Sequence, residues 1–182
     1  MSLGHAATLV LLEYPQYNAH ASPDALAYVC PNPSPSLASL SALSPRFLTG
    51  ASFVILGSIL RQWCFYTMGQ MFTFEVAIKQ DHKLITGGPY SYVRHPSYLG
   101  STTIVVGTFL MHFGTSEYLT GCNVLSTPLR WVVLVWVVNM VLGCLGGFKR
   151  MAVEDQGLRN KFGTTWDAYA KRVSYRLIPY VV

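Results

Sequence analysis

The sequence predicts an all-α integral membrane protein with three transmembrane helices, or four if the N-terminal region adds one. The last two spans form a C-terminal helical hairpin, and the polar chemistry gathers on one membrane face. Three observations lead there. Of 182 residues, 51% are hydrophobic and 12% are charged, against roughly 25% charged in a soluble domain, so polar surface is too scarce for a fold in water. Long uncharged stretches match the ~20 apolar residues that a helix needs to cross hydrocarbon with every backbone group bonded internally. The net charge of +5 is also uneven: residues 149–182 hold seven Lys/Arg against three Asp/Glu, which suits a tail lying on anionic headgroups. A nucleic-acid partner is not expected, since a basic nucleic-acid surface has no use for apolar runs beside it.

Residues 1–45 form an N-terminal region and linker. The apolar stretch 3–12 is too short to span and lacks the basic flank of a secretory signal, and the Pro/Ser-rich stretch 30–45 cannot form a helix interior. Residues 46–182 form the membrane core. Its first span, about 47–74, is interrupted by Arg61, which costs about 2.5–3.5 kcal/mol at the bilayer centre unless it snorkels or faces a polar cavity. The second and third spans, about 96–116 and 131–148, contain no Asp, Glu, Lys or Arg, and a short segment with Gly121 and Pro128 joins them as a hairpin. The loop 75–95 carries Lys79, Lys83 and Arg94 and the tail seven further basic residues, whereas the segment inside the hairpin has Arg130 beside Glu117. Loop and tail are therefore expected on the cytosolic side. Two spans between them return the chain to the side it left, so span count and charge agree.

The four cysteines show no C-x-x-C pair and no metal-ligand spacing with the five histidines, so no metal site is expected. Cys64 and Cys144 fall in apolar runs as small buried hydrophobes. Cys30 and Cys122 can pair only if both face an oxidising lumen, and the sequence leaves that open.

Two constellations carry candidate chemistry. In the loop before the second span, Gly87-Gly88-Pro89 predicts a sharp turn, and the residue before Pro96 is biased away from helix, so His95 is extended and Pro96 begins the span. An imidazole there can donate one hydrogen bond and accept another. By spacing alone, Arg94 and His95 equally suit headgroup anchors, with Tyr90, Tyr92 and Tyr98 as an aromatic belt. The second constellation opens the tail: Arg150 and Glu154 are four apart, so on a continuing helix they share a face, either to hold an anion and a cation or as a plain surface ion pair. Further on, Thr164 with Asp167 three residues later reads as a helix cap, followed by aromatic and basic residues suited to an interfacial helix.

The run His82-Lys83-Leu84-Ile85-Thr86, Gly88-Pro89-Tyr90 and Arg94-His95-Pro96-Ser97-Tyr98, followed by Arg150-x-x-x-Glu154-Asp155, Phe162-Gly163, Trp166 and Tyr169, resembles the isoprenylcysteine carboxyl methyltransferase family over roughly residues 46–180. The resemblance implies a multi-pass protein of the endoplasmic reticulum membrane whose active site faces the cytosol. It implies S-adenosylmethionine as cofactor, bound by His82, Lys83, Leu84, Ile85, Tyr90, His95, Pro96, Ser97, Tyr98 and Glu154. Arg150 would be the catalytic and substrate-binding residue, holding the carboxylate of a prenylated C-terminal cysteine for methyl esterification; prenylated proteins and membrane lipid are the implied partners. Two departures stand out. Glu75 occupies a position where some members use a cofactor-binding glutamine, and the additional N-terminal spans usual in the family have no counterpart beyond the linker and one short apolar segment, as in a truncated gene product or a divergent paralogue. The alternatives are a related membrane methyltransferase acting on a phospholipid amine or small thiol, a nicotinamide-dependent membrane reductase, and a non-catalytic membrane module.

Overall fold

The computed structural model describes residues 30, 44–71, 83–114 and 118–179. Among them the protein is helical throughout, without a strand: α1 (Pro45–Met68), α2 (Pro96–His112), α3 (Tyr118–Gly121), α4 (Arg130–Phe162) and α5 (Thr164–Arg172), with short 3-10 turns at Gly69–Met71, Gly88–Ser91 and Val124–Ser126.

α1 begins where Ser44 Oγ accepts the Phe47 N–H at 3.0 Å, with Pro45 at the first helical position, where its missing donor is harmless. Its 24 residues reach about 36 Å at 1.5 Å per residue, enough to cross the ~30 Å of hydrocarbon. It ends at Gly69, whose φ of 52° suits a residue without a side chain. α4, at 33 residues, is longer than the bilayer requires. Its first part, 131–148, is uncharged, whereas the turns beyond carry Lys149, Arg150, Glu154, Asp155, Arg159 and Lys161. α1, extended through its 3-10 turn, and α4 are both long and apolar enough to cross a membrane. Side chains such as Val132, Val135, Leu142 and Leu145 lie exposed along α4, a face that lipid solvates as readily as protein would. The chain is a helical membrane protein. α2 has 17 residues and ends before the expected 116; residues 115–117, and the expectations placed on 1–29, 31–43, 72–82 and 180–182, lie outside the described residues.

The chain forms two compact units. The first comprises Phe53 and the described residues before it together with Val106–Asn139. A disulfide joins Cys30 to Cys122, so the pairing that the sequence left open is made. Leu119 and Val124 bury around it, with Phe113, Tyr118 and Val133 packed alongside. Phe109, Phe113 and Trp136 stack with centroids 5.3–6.2 Å apart, and a Cβ at Gly50 would lie 2.7 Å from the Gly107 carbonyl oxygen.

The second unit comprises Val54–Val105 and Met140–Val182. Here a Cβ at Gly57 would lie 2.7 Å from the Gly100 carbonyl oxygen, and one at Gly147 would lie 3.3 Å from the Tyr98 ring, so glycine is what lets α1 and α4 approach α2. Arg61 resolves its place in an apolar span by turning to α2: its Nη1 donates to the Ser101 hydroxyl and to the Ser97 carbonyl at 3.4 Å, and its guanidinium lies over the Phe65 ring. α5 departs from expectation at its start. Thr164 is its first residue rather than its cap; Gly163, with φ 52°, breaks the chain direction after α4.

Candidate functional site

The loop ahead of α2 is built by its turn residues. Gly88 has φ +58°, and a Cβ there would press on the Thr67 hydroxyl at 3.0 Å. The following 3-10 turn buries Pro89 and Tyr90. The Tyr90 side chain hydrogen-bonds Cys64, and burial, then Cys64, Tyr169 and Glu154, push its phenol well above the ordinary value, so it stays a neutral donor. The Tyr90 carbonyl accepts the Tyr169 hydroxyl at 2.8 Å. Next, the chain bends at Arg94 and is held to the C-terminal segment: Arg94 N–H donates to Tyr175 O at 3.0 Å and His95 N–H to Arg176 O at 2.8 Å. The His95 carbonyl receives the N–H groups of Tyr98 and Leu99, which starts α2 at Pro96 as expected.

α5 clamps this loop. Trp166, Tyr169 and Val173 are buried together with Leu84, Leu158, Phe162 and Ala170 against them, and the Arg94 guanidinium lies over the Trp166 ring. The sequence reading took these aromatics as anchors at the lipid interface. They pack instead on protein, because the Gly163 break lets α5 fold back beside α4.

On this base a polar cluster forms between α2 and α4. Glu154 Oε1 accepts from Tyr98 Oη at 2.7 Å and from Arg150 Nε at 2.9 Å. Its other oxygen, Oε2, lies 3.6 Å from His95 Nδ1. The far edge of the same ring meets Asp155: Nε2 to Oδ1 is 3.0 Å. Arg94 and Arg176 approach Asp155 Oδ2 at 3.2 and 3.5 Å, close enough for charge pairing, yet Oδ2 and Arg94 Nε lack a hydrogen-bond partner among the described residues, so these contacts are Coulombic rather than aligned. Burial would raise the Asp155 carboxyl; the hydrogen bond from His95 and the charges of Arg94 and Arg176 outweigh it and hold the group below its ordinary value. His95 and Asp155 are both buried, while Arg150 is part-exposed, with 36% of its side chain accessible. The cluster thus runs from a closed interior to an open rim, with a carboxylate at its middle.

The structure brings together Tyr98, His95, Arg150 and Glu154 from the sequence-predicted set. Pro96 is fully buried beneath them, and Ser97 turns its carbonyl to Arg61 and Ser101. Leu84 joins the Trp166 cluster; Ile85 is half-buried and Lys83 exposed on the same extended stretch. Tyr90 lies under the loop, tied to Cys64 and Tyr169. His82 and Glu75 fall outside the described residues. Sequence reasoning passed over Asp155, Arg176 and Arg61 as site neighbours. Asp155 had one signal, its place directly after Glu154; Arg176 had none, since only the folded tail brings it near.

Comparison with known proteins finds relatives of one family. A family model described as the isoprenylcysteine carboxyl methyltransferase (ICMT) family matches residues 50–135. Protein-S-isoprenylcysteine O-methyltransferase B of Arabidopsis thaliana is 34% identical over 126 residues, 68% of this chain and 55% of that protein. The Schizosaccharomyces pombe protein-S-isoprenylcysteine O-methyltransferase is 37% identical over 123 residues, 66% of this chain and 44% of its own. The Homo sapiens enzyme of the same name is 35% identical over 141 residues, 76% and 42% respectively. The chain spans about half the length of the curated relatives it matches.

Proposed function

We propose, from the premise that this chain belongs to the isoprenylcysteine carboxyl methyltransferase family, that it methyl-esterifies the C-terminal carboxylate of prenylated cysteine with S-adenosylmethionine as donor. The observation that carries this reading is the single carboxylate oxygen of Glu154 holding both Tyr98 and Arg150, with His95 beside it. The same set of groups suits such a donor: acceptors on Glu154 and His95 for an ammonium, the Tyr98 hydroxyl and the extended backbone at 83–86 for polar edges. Lys83, Leu84, Ile85, Tyr90, His95, Pro96, Ser97, Tyr98 and Glu154, with His82, are the residues proposed to hold it. Bound there, the cofactor would supply an electrophilic methyl carbon on a sulfonium.

The acceptor needs little activation. An α-carboxylate titrates near ~3.3–3.7 and is ionised at neutral pH, so the site requires positioning rather than a base. Arg150, part-exposed at the rim, presents a planar fork matched to a carboxylate. Tyr98 donates to Glu154 and keeps it in place while Arg150 engages the incoming anion. Joining two opposite charges into neutral products is favoured where water is thin, and the boundary between lipid and cytosol provides that setting while leaving the prenyl chain in hydrocarbon.

We place the site on the cytosolic side of the endoplasmic reticulum membrane, with α2 as a third span between α1 and α4. The Cys30–Cys122 disulfide supports this arrangement. It lies beyond the C-terminal end of α2 and belongs in an oxidising compartment, whereas His95 marks the other end of that helix. The experiment is a methyl-transfer assay of the purified chain in liposomes, with labelled S-adenosylmethionine and N-acetyl-farnesylcysteine. The expected product is a base-labile methyl ester; absence of cofactor binding overturns the reading, and transfer to a phospholipid amine or small thiol instead would replace the acceptor.

A further inference from the structure

Asp155 takes no direct part in the proposed site, yet it touches the ring that does. Its carboxylate is buried, and Oδ1 meets His95 Nε2 at 3.0 Å. An ionised carboxylate has no proton to give, so in this pair Nε2 carries the hydrogen and donates it. In the neutral ring the remaining nitrogen, Nδ1, is then an acceptor. That nitrogen faces Glu154 Oε2 across 3.6 Å, too long for a hydrogen bond between them. Two acceptors therefore stand side by side on the α2 and α4 edges of the cluster.

We propose that Asp155 is a positioning residue that holds His95 with its proton on Nε2, so that His95 Nδ1 and Glu154 Oε2 form a paired acceptor for the ammonium of the methyl donor's amino-acid part. This rests on the S-adenosylmethionine reading above. The remaining charged groups around the ring fit the same assignment. Arg94 and Arg176 lie on the far oxygen of Asp155 and keep it ionised, while Arg150 and Tyr98 occupy the other oxygen of Glu154 and leave Oε2 turned to the ring. The backbone hydrogen bonds of Arg94 and His95 to Tyr175 and Arg176 hold the ring's backbone independently of Asp155. Loss of the carboxylate is thereby expected to change the tautomer before it changes the fold, since an amide in that place can donate to Nε2 and drive the proton to Nδ1, as a wrong-tautomer histidine does elsewhere.

The test compares two ligands that differ at the ammonium. S-adenosylhomocysteine carries the amino-acid part and 5′-methylthioadenosine lacks it. For Asp155→Asn, calorimetry is expected to give roughly ten- to a hundredfold weaker S-adenosylhomocysteine binding, the scale of one charge-assisted hydrogen bond. Binding of 5′-methylthioadenosine is expected to stay within about twofold. Asp155→Glu, which keeps a carboxylate, is expected to recover part of the loss. Equal weakening of both ligands makes Asp155 merely structural and overturns the proposal, as does no weakening of either.

A second readout needs no ligand. The ¹⁵N shifts of the His95 imidazole, taken at a pH that leaves the ring neutral, are expected to place the proton on Nε2 in the wild-type chain and on Nδ1 in Asp155→Asn. A wild-type proton on Nδ1 overturns the proposal even if the variant fails to fold. If the wild-type chain binds neither nucleoside, the donor reading falls on its own, and the ¹⁵N spectrum still decides what Asp155 does to His95.

Discussion

The two compact units are held by opposite chemistry. In the first, a disulfide closes 92 residues of sequence, aromatic rings stack, and a glycine lets backbones touch. In the second, two polar groups stand side by side: Glu154 with Tyr98 and Arg150, and Asp155 with His95, Arg94 and Arg176. α4 contains both regimes: no charge from 131 to 148 and six charged residues from 149 to 162. The difference shows where each kind of bond is usable. A charged network needs partners and water nearby to offset desolvation, and it gathers on the charged part of α4 beyond its apolar run. A covalent link needs only an oxidising compartment.

The largest expected effect tests the polar unit. Arg150→Ala is expected to lower esterification of N-acetyl-farnesylcysteine by roughly 10²-fold or more, the scale of a misplaced reacting group. S-adenosylhomocysteine affinity, read in parallel by calorimetry, is expected to hold within about twofold. Near-normal turnover would remove Arg150 from the carboxylate. Next in size, Cys122→Ser tests the covalent unit. Chain-entropy reasoning gives up to about 4–5 kcal/mol for a loop of this length, an upper bound where insertion in a bilayer already restrains the unfolded chain. A lower melting transition in detergent is expected, with nucleoside binding retained below it; loss of binding at low temperature would show that the polar site depends on the disulfide.

A smaller effect separates packing from polarity within the second unit. A Cβ at Gly57 meets the Gly100 carbonyl at 2.7 Å and Ile104 Cγ1 at 2.8 Å, whereas one at Gly143 meets nothing within 4 Å. Gly57→Ala is expected to destabilise by about 1–3 kcal/mol through overpacking, while Gly143→Ala is expected to be neutral or mildly stabilising, by up to about 1 kcal/mol through helix propensity. Equal melting temperatures for the two variants would mean that α1 and α2 do not depend on that close approach.

Much of this was legible before any coordinates. Apolar run length located α1 and the uncharged part of α4, Pro96 marked the start of α2, and the spacing of Arg150 and Glu154 placed them on one face. What escaped the sequence depends on contacts between residues far apart in the chain. Asp155 stands in the sequence motif beside Glu154 without a role until the loop at 94–95 is held to 175–176 and brings two arginines to it. Trp166 and Tyr169 read as interface anchors because an amphipathic aromatic pattern is the same whether lipid or protein covers it. Arg61 looked costly in a span because its partners, Ser97 and Ser101, lie on another helix.

The smallest expected effect isolates one of those long-range contacts. Tyr169 donates to the Tyr90 carbonyl at 2.8 Å, and removing the hydroxyl in Tyr169→Phe is expected to cost about 0.5–1.5 kcal/mol. Burial first, with Asp155 adding to it and Arg94 and Arg172 opposing, pushes the Tyr169 phenol from 10.0 up to about 12. A folded-state value above the unfolded one means that the neutral hydroxyl's contribution is complete below pH 10 and is lost as pH rises toward 12. The stability difference between wild type and Tyr169→Phe is therefore expected to be constant up to about pH 10, then to fall through the next two units and change sign, since about 1.4 kcal/mol per unit outruns the hydrogen bond's contribution. A gap that stays flat to pH 12 would mean that the folded chain does not bury the Tyr169 hydroxyl, and that α5 does not close on the loop as the hydrogen bond to Tyr90 requires.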